Sequence, residues 1–306
     1  MKGIELVDAH FHLWDLDENH YPWLSGRGHG TLIKDFSALR RNYLVSDLWR
    51  DIGDLNVVAG VHIQAEHDYR DHVRETRWLQ RVADDPASRG IPQAIVANAD
   101  FASVDVERVL EQHCAFANTR GIRYSLHRRL GDAVPYDPLQ NPVWVGNFSL
   151  LRKYGLSFDM ELFPSQSELA VDLIHRNPEV QIVLCHAAMP LWRSPEDKAL
   201  WRQSIKRYAE YPNVAIKLSG FGVFNPEWNA ATIKPILSEV IDAFTPARCM
   251  FATNYPVEGL FKRYRDVWSA YIECLADFSA EEQALMCSRN AARFYRLKRS
   301  SSPRST

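Results

Sequence analysis

Eight short apolar runs alternate along the chain with longer amphipathic stretches, and this alternation restricts the fold more than any other feature of the sequence. Strands that are separated by helices pair in parallel, because each helix returns the chain to the same end of the sheet. Eight such units within 306 residues predict a closed (β/α)8 TIM barrel. The predicted strands span residues 4–10, 57–64, 91–98, 121–126, 156–162, 181–186, 214–219 and 249–254. The helical patterns between them include residues 73–83, 104–116, 142–154, 166–175, 201–208 and 233–244.

A doubly wound open sheet is the alternative to the barrel, but no GxGxxG motif follows the first predicted strand. We assign residues 1–297 to one barrel domain and expect the basic, serine-rich tail at residues 298–306 to be disordered. A long connection between residues 15 and 46 follows the first strand and is rich in Tyr, Trp, Gly and His, including His29. It begins at the mouth of the predicted barrel, so we expect Tyr21 or Trp23 to wall the binding pocket. The alternative roles are closing the barrel rim and contacting another subunit.

The composition argues against several classes of function. The net charge is −2, which provides no electrostatic footprint for nucleic acid or an anionic membrane. No basic region precedes a long apolar segment, so we expect neither a signal peptide nor a membrane span. The 5 cysteines are odd in number and lack a CxxC spacing, which favours the reduced thiols of a cytoplasmic protein. The expected partner is a small molecule, and the sequence is compatible with a homo-oligomer.

Two histidines, His10 and His12, end the first predicted strand. Side chains alternate along a strand, so these two imidazoles project to the same face. Ligands of parallel α/β folds gather at the carboxyl ends of the strands, where this pair lies. Two imidazoles at that position can bind a metal, transfer protons or stabilise an oxyanion. The alternative is a hydrogen-bonded pair with a structural role.

Most of the other predicted strands also end in polar or ionisable residues. They are His62 and Gln64, Arg123, Asp159 and Glu161, His186, Lys217 and Ser219, and Asn254. Buried charges are costly without partners, so packing alone explains this series poorly. We expect a polar, cation-rich pocket in which Arg123 and Lys217 bind a substrate carboxylate or a polarised oxygen. For Asp159 and Glu161, a structural salt bridge with Arg123 or Lys217 is an equal alternative to a catalytic role.

Short motifs spread over nearly the whole chain carry a family resemblance. They are Asp8-Ala9-His10-Phe11-His12-Leu13-Trp14-Asp15, Tyr21-Pro22-Trp23-Leu24, Val61-His62-Ile63-Gln64-Ala65-Glu66, Arg120-Gly121-Ile122-Arg123, Cys185-His186-Ala187-Ala188-Met189-Pro190, Lys217-Leu218-Ser219-Gly220, Met250-Phe251-Ala252-Thr253-Asn254-Tyr255-Pro256-Val257 and Asn290-Ala291-Ala292-Arg293-Phe294-Tyr295. Together they resemble the amidohydrolase superfamily, in its amidohydrolase-2 branch of metal-dependent TIM-barrel hydrolases. The characterised members are similar to sugar-acid lactonases and to pyrone-dicarboxylate lactonase.

The resemblance implies roles for particular residues. His10, His12 and His186 match the family's metal-binding histidines, which implies one divalent metal such as zinc; metal-independent catalysis, known in the family, is an equal alternative. Asn254 occupies the position of the family's water-activating aspartate, and an amide cannot accept a proton at neutral pH. Glu161 and His62 are therefore the remaining candidates for the general base.

The resemblance also implies a reaction. We expect a lactonase that opens a sugar-acid or dicarboxylate lactone by attack of water on the ring carbonyl. His10, His12, His186, Asn254 and Glu161 would form its catalytic centre. A carboxylated or polyhydroxylated substrate would be bound by His62, Gln64, Arg123, Lys217, Trp23 and Tyr21. A lactone isomerase, a metal-dependent decarboxylase and a catalytically weakened binding protein remain as alternatives.

Overall fold

The computed structural model describes residues 3–25, 32–127 and 136–297. Within these ranges, eight parallel strands pair in chain order into a single sheet. The strands are β1 Leu6–Phe11, β2 Val57–Ile63, β3 Ala94–Ala97, β4 Thr119–Ser125, β5 Ser157–Glu161, β6 Ile182–Leu184, β7 Val214–Leu218 and β8 Cys249–Phe251. The predicted (β/α)8 barrel is therefore confirmed.

Helices connect the strands and cover the outside of the sheet. Over the described residues they are α1 Pro22–Ser25, α2 Val45–Ile52, α3 Arg74–Asp84, α4 Val106–Cys114, α5 Pro142–Asn147, α6 Leu150–Tyr154, α7 Ser167–Arg176, α8 Pro195–Ala209, α9 Phe221–Phe224, α10 Ala230–Phe244, α11 Tyr264–Cys274, α12 Ala280–Ala284 and α13 Asn290–Phe294. The helix expected over residues 142–154 is divided into α5 and α6. None of the helices in these ranges combines the length and the apolar character needed to cross a membrane. The tail at residues 298–306 and His29 lie outside the described residues.

The strands bury both of their faces, one against the helices and one in the barrel lumen. Val61, Val96 and Val183 belong to the lumen cluster, which Tyr295 joins from beyond α13. In β1, Ala9 packs in the lumen whereas Phe11 packs in the outer layer. The pairing register between β1 and β2 shifts over this stretch, so the alternation of side chains changes phase there.

The barrel closes between β1 and the segment that follows β8. Asn254 N–H donates to His10 O over 2.7 Å, and His12 N–H donates to Tyr255 O over 2.7 Å. The buried carboxylate of Asp8 accepts the backbone N–H of Thr253 at 2.9 Å and its hydroxyl at 2.5 Å. The two ends of the sheet are thus joined directly beside the histidine pair.

We expect Thr253→Val to lower the free energy of unfolding by about 1–3 kcal/mol, because it removes a hydroxyl donor from a buried carboxylate. Urea denaturation followed by circular dichroism measures the change. Thr119→Val is the matched control: the Thr119 hydroxyl is buried and has no hydrogen-bond partner among the described residues. Equal effects of the two substitutions would show that the bond to Asp8 adds nothing to barrel closure.

Candidate active site

A cavity of about 540 Å³ opens at the carboxyl ends of the strands. The half of the ring from β2 to β5 lines it mainly with polar side chains: Glu66, His67, Arg123, Ser125, His127 and Glu161. The loops after β1, β6, β7 and β8 contribute a mainly apolar wall: Trp23, Met189, Val223, Phe224 and Val257. His12, His186 and Asn254 also face the cavity. The cavity can therefore enclose a small molecule between a polar and an apolar surface.

Three histidines converge beneath the cavity. The Nε2 atoms of His10 and His12 lie 3.2 Å apart. The ring centroids of His10 and His186 are 4.7 Å apart. The structure thus brings together three side chains that come from β1 and from the end of β6, on different sides of the ring.

The hydrogen bonds of His12 fix which of its nitrogens carries the proton. Nδ1 lies 2.7 Å from the carbonyl oxygen of Ile63, which can only accept, so Nδ1 donates. The Nε2 of the neutral ring therefore presents a lone pair toward the site. Asn254 Oδ1, which is also an acceptor, lies 3.3 Å from this nitrogen. Asn254 itself has a left-handed backbone with φ 59°, a conformation that Asn tolerates better than most residues.

Ser219 and Gly220, which follow β7, orient the ring of His186. Its Nδ1 lies 3.0 Å from Ser219 Oγ, and its Nε2 remains available to ligands. Gly220 has φ +71°, and a Cβ at this position would lie 2.6 Å from His186 Nδ1. Glycine is required here both for its backbone conformation and for the close approach of the imidazole.

The three imidazoles are neutral at neutral pH. Burial lowers the pKa of His10 well below the usual histidine value, and the nearby charge of Lys217 acts in the same direction. Burial also lowers the pKa of His12, aided by Arg123. For His186, burial lowers the pKa to about 4. Neutral imidazoles keep the lone pairs that ligate metals.

The donor set fits part of a divalent metal site. Metal-binding histidines usually hydrogen-bond through the second ring nitrogen, as His12 does to Ile63 and His186 to Ser219. The buried Nδ1 of His10 has no partner within the described ranges. Although the three histidines converge, no group of three or more His, Cys, Asp or Glu side chains over those same ranges has the spacing to hold a metal ion. His12 Nε2 and Asn254 Oδ1 are two acceptors without a proton between them, and a cation would bind to both.

Two ion pairs lie in the lumen. Arg123 Nη1 donates to Glu161 Oε2 over 3.0 Å, and Nη2 donates to the carbonyl of Gln64 over 2.5 Å. Burial would raise the pKa of Glu161, but the charge of Arg123, together with the smaller effects of His127, His186 and Lys217, outweighs burial, so this pKa is lowered and the carboxylate stays ionised. Lys217 Nζ lies 2.5 Å from Asp159 Oδ2, with both side chains fully buried.

Several residues predicted to bind substrate lie away from the cavity. His62 and Gln64 alternate with Val61 and Ile63, which occupy the lumen, so His62 points outward and contacts Leu13 O at 3.2 Å. Lys217 is fully buried against Asp159. Tyr21 is fully buried and packs edge-on against His67. None of these four residues lines the cavity, whereas Trp23 does and donates its indole N–H to Ala65 O over 2.8 Å.

Sequence reasoning assigned no role to several cavity residues at the ends of the strands or in the segments that follow them. They include Glu66, His67, Ser125, His127, Met189 and Phe224. Glu66 follows Gln64 by two positions, but its backbone turns into the left-handed region with φ 57°. Strand periodicity ends at such a turn, so alternation could not show where these side chains point.

Comparisons with known proteins agree with this architecture. The amidohydrolase family model matches residues 7–297 of the chain. An uncharacterized protein of Sinorhizobium fredii is 38% identical over 97% of this chain and all of its own length. The L-fucono-1,5-lactonase of Burkholderia ambifaria is 26% identical over 96% of this chain and 97% of its own. A crystal structure of a Burkholderia multivorans amidohydrolase with bound zinc is 26% identical, has a TM-score of 0.79 and covers 96% of this chain and 99% of its own.

Proposed function

Since the chain belongs to the amidohydrolase family and is a hydrolase, we propose that it acts as a lactonase. The substrate is the lactone of a sugar acid or of a dicarboxylic acid, opened by attack of water on the ring carbonyl. The observation that carries the proposal is the convergence of His12, His186, Asn254 and Arg123 on one cavity. The similarity to an L-fucono-1,5-lactonase supports the same reaction class.

Each group has a role that its contacts support. The Arg123 guanidinium is held by Glu161 and Gln64 O, so its charge is fixed before an oxyanion develops on the substrate. Asn254 orients the attacking water through its amide. Glu161 accepts the proton of that water, because it is an ionised carboxylate that lines the cavity whereas His62 does not.

The proposal includes one divalent metal at the same site. His10 and His12 would hold it through Nε2, with His186 and the amide oxygen of Asn254 beside it. The zinc in the similar Burkholderia multivorans amidohydrolase supports this assignment. When bound, the ion would polarise the carbonyl and lower the pKa of water.

A panel of lactones tests the reaction. Purified protein should release acid from at least one sugar-acid or dicarboxylate lactone, measured with a pH indicator against heat-denatured protein. Metal analysis and dialysis against a chelator show whether activity requires an ion. Carbon dioxide release from aromatic acids would favour a decarboxylase, and an isomeric lactone without acid an isomerase. Binding without any turnover would favour a binding protein.

We expect Asn254→Ala to lower kcat by about a hundredfold or more while the fold persists, because the water loses its positioning group. Steady-state kinetics on the best lactone measures the loss, and circular dichroism checks the fold. Asn229→Ala is the control, since Asn229 is an exposed cap of α10. An unchanged kcat in Asn254→Ala would rule out this role.

We expect Trp23→Ala to raise KM about tenfold, equivalent to ~1.4 kcal/mol of lost contact, because Trp23 walls the cavity. Tyr21→Phe is the comparison and should leave KM unchanged, since Tyr21 is fully buried and does not line the cavity. Thermal denaturation of both variants separates binding from stability. A sharply lower melting temperature with unchanged KM in Trp23→Ala would assign Trp23 to packing alone.

A further inference from the structure

Glu66 lies on the cavity wall, and three hydrogen bonds fix the position of its carboxylate. One carboxylate oxygen accepts the Ser125 hydroxyl at 2.6 Å and the Gln64 side-chain amide at 2.9 Å. The other accepts the hydroxyl of Tyr69. A carboxylate offers about four acceptor positions, so three donors leave room for one more. The carboxylate is therefore a fixed acceptor at the edge of the cavity.

No described cation forms an ion pair with Glu66, although the charge of Arg123 attracts it. The cationic side chain that lines the cavity within the described ranges is Arg123, and it is paired with Glu161. Lys217 is occupied by Asp159 and does not line the cavity. The described lining therefore carries two carboxylates and one guanidinium, an excess of one negative charge.

We propose that Glu66 is a specificity-determining residue, which accepts a hydroxyl of an uncharged sugar-acid lactone and rejects a lactone that carries a carboxylate there. The proposal rests on the lactonase reaction proposed above and narrows its substrate class. A hydroxyl can donate to Glu66, whereas a substrate carboxylate has no proton to donate and meets a like charge. The apolar wall with Trp23 and Phe224 suits the less polar face of a sugar ring.

The test compares the γ-lactones of gluconic acid and glucaric acid, which differ in whether the terminal carbon carries a hydroxyl or a carboxylate. Hydrolysis is measured as kcat/KM with a pH indicator, and binding by calorimetric titration of the slow Asn254→Ala protein. We expect a preference for the gluconic lactone of about tenfold or more, both in hydrolysis by the wild type and in binding by the Asn254→Ala protein. Glu66→Gln removes the charge and keeps an acceptor oxygen, so it should reduce this preference about tenfold.

Asp68→Asn is the matched control, because it removes a carboxylate two residues away that does not line the cavity. It should leave the preference unchanged. Equal or tighter binding of the glucaric lactone by the Asn254→Ala protein, which keeps Glu66, would overturn the proposal even if Glu66→Gln failed to fold. An unaltered preference in a folded Glu66→Gln protein would overturn it as well.

The outcomes separate this proposal from the lactonase assignment. Hydrolysis of both lactones without preference would keep the reaction and refute the role of Glu66. Selective binding that is lost in Glu66→Gln, without any hydrolysis, would keep the role and refute the reaction. If neither lactone bound, the role of Glu66 would be refuted, and the wider lactone panel would decide the reaction.

Discussion

Asp8 joins the first strand of the barrel to the segment that follows the last one, and the candidate active site depends on this junction. The hydrogen bonds from Thr253 to Asp8 link β1 to the segment that follows β8. The backbone bonds that place His10 and His12 beside Asn254 link the same two segments. Burial raises the pKa of the Asp8 carboxyl, while its bonds to Thr253 oppose that effect. Once this junction forms, the sheet has no free edge. The first strand and the segment after the last strand therefore hold each other in place.

Charged side chains form pairs in the lumen, from its buried interior up to the cavity. The Asp159–Lys217 pair is fully buried, the neutral imidazole of His10 lies near Lys217, and the Arg123–Glu161 pair borders the cavity itself. Each cation thereby has a carboxylate partner, as burial demands. The same cations disfavour protonation of the histidines, so one arrangement satisfies the interior and keeps the lone pairs of the site available.

The barrel could be predicted from the sequence because the alternation of apolar runs and amphipathic helices has few solutions. The convergence of His10, His12 and His186 followed from their positions at strand ends. The orientation of His62 and Gln64 did not, since both faces of a barrel strand are buried and alternation does not identify the lumen face. The Lys217–Asp159 pair is one of the alternatives that the sequence leaves open, because partners on different strands cannot be chosen from local sequence. Glu66 lies on a left-handed turn, which the strand pattern does not show.

The hydroxyl of Tyr295 donates to both oxygens of Asp159, at 3.0 and 2.9 Å. The interior ion pair is therefore completed by a residue that lies 136 positions further along the chain. During synthesis on a ribosome, β5 and β7 emerge well before Tyr295 does. Until Tyr295 has been made, the lumen holds a carboxylate that lacks this shared donor, so the barrel interior can reach its final arrangement only after that residue has been synthesised.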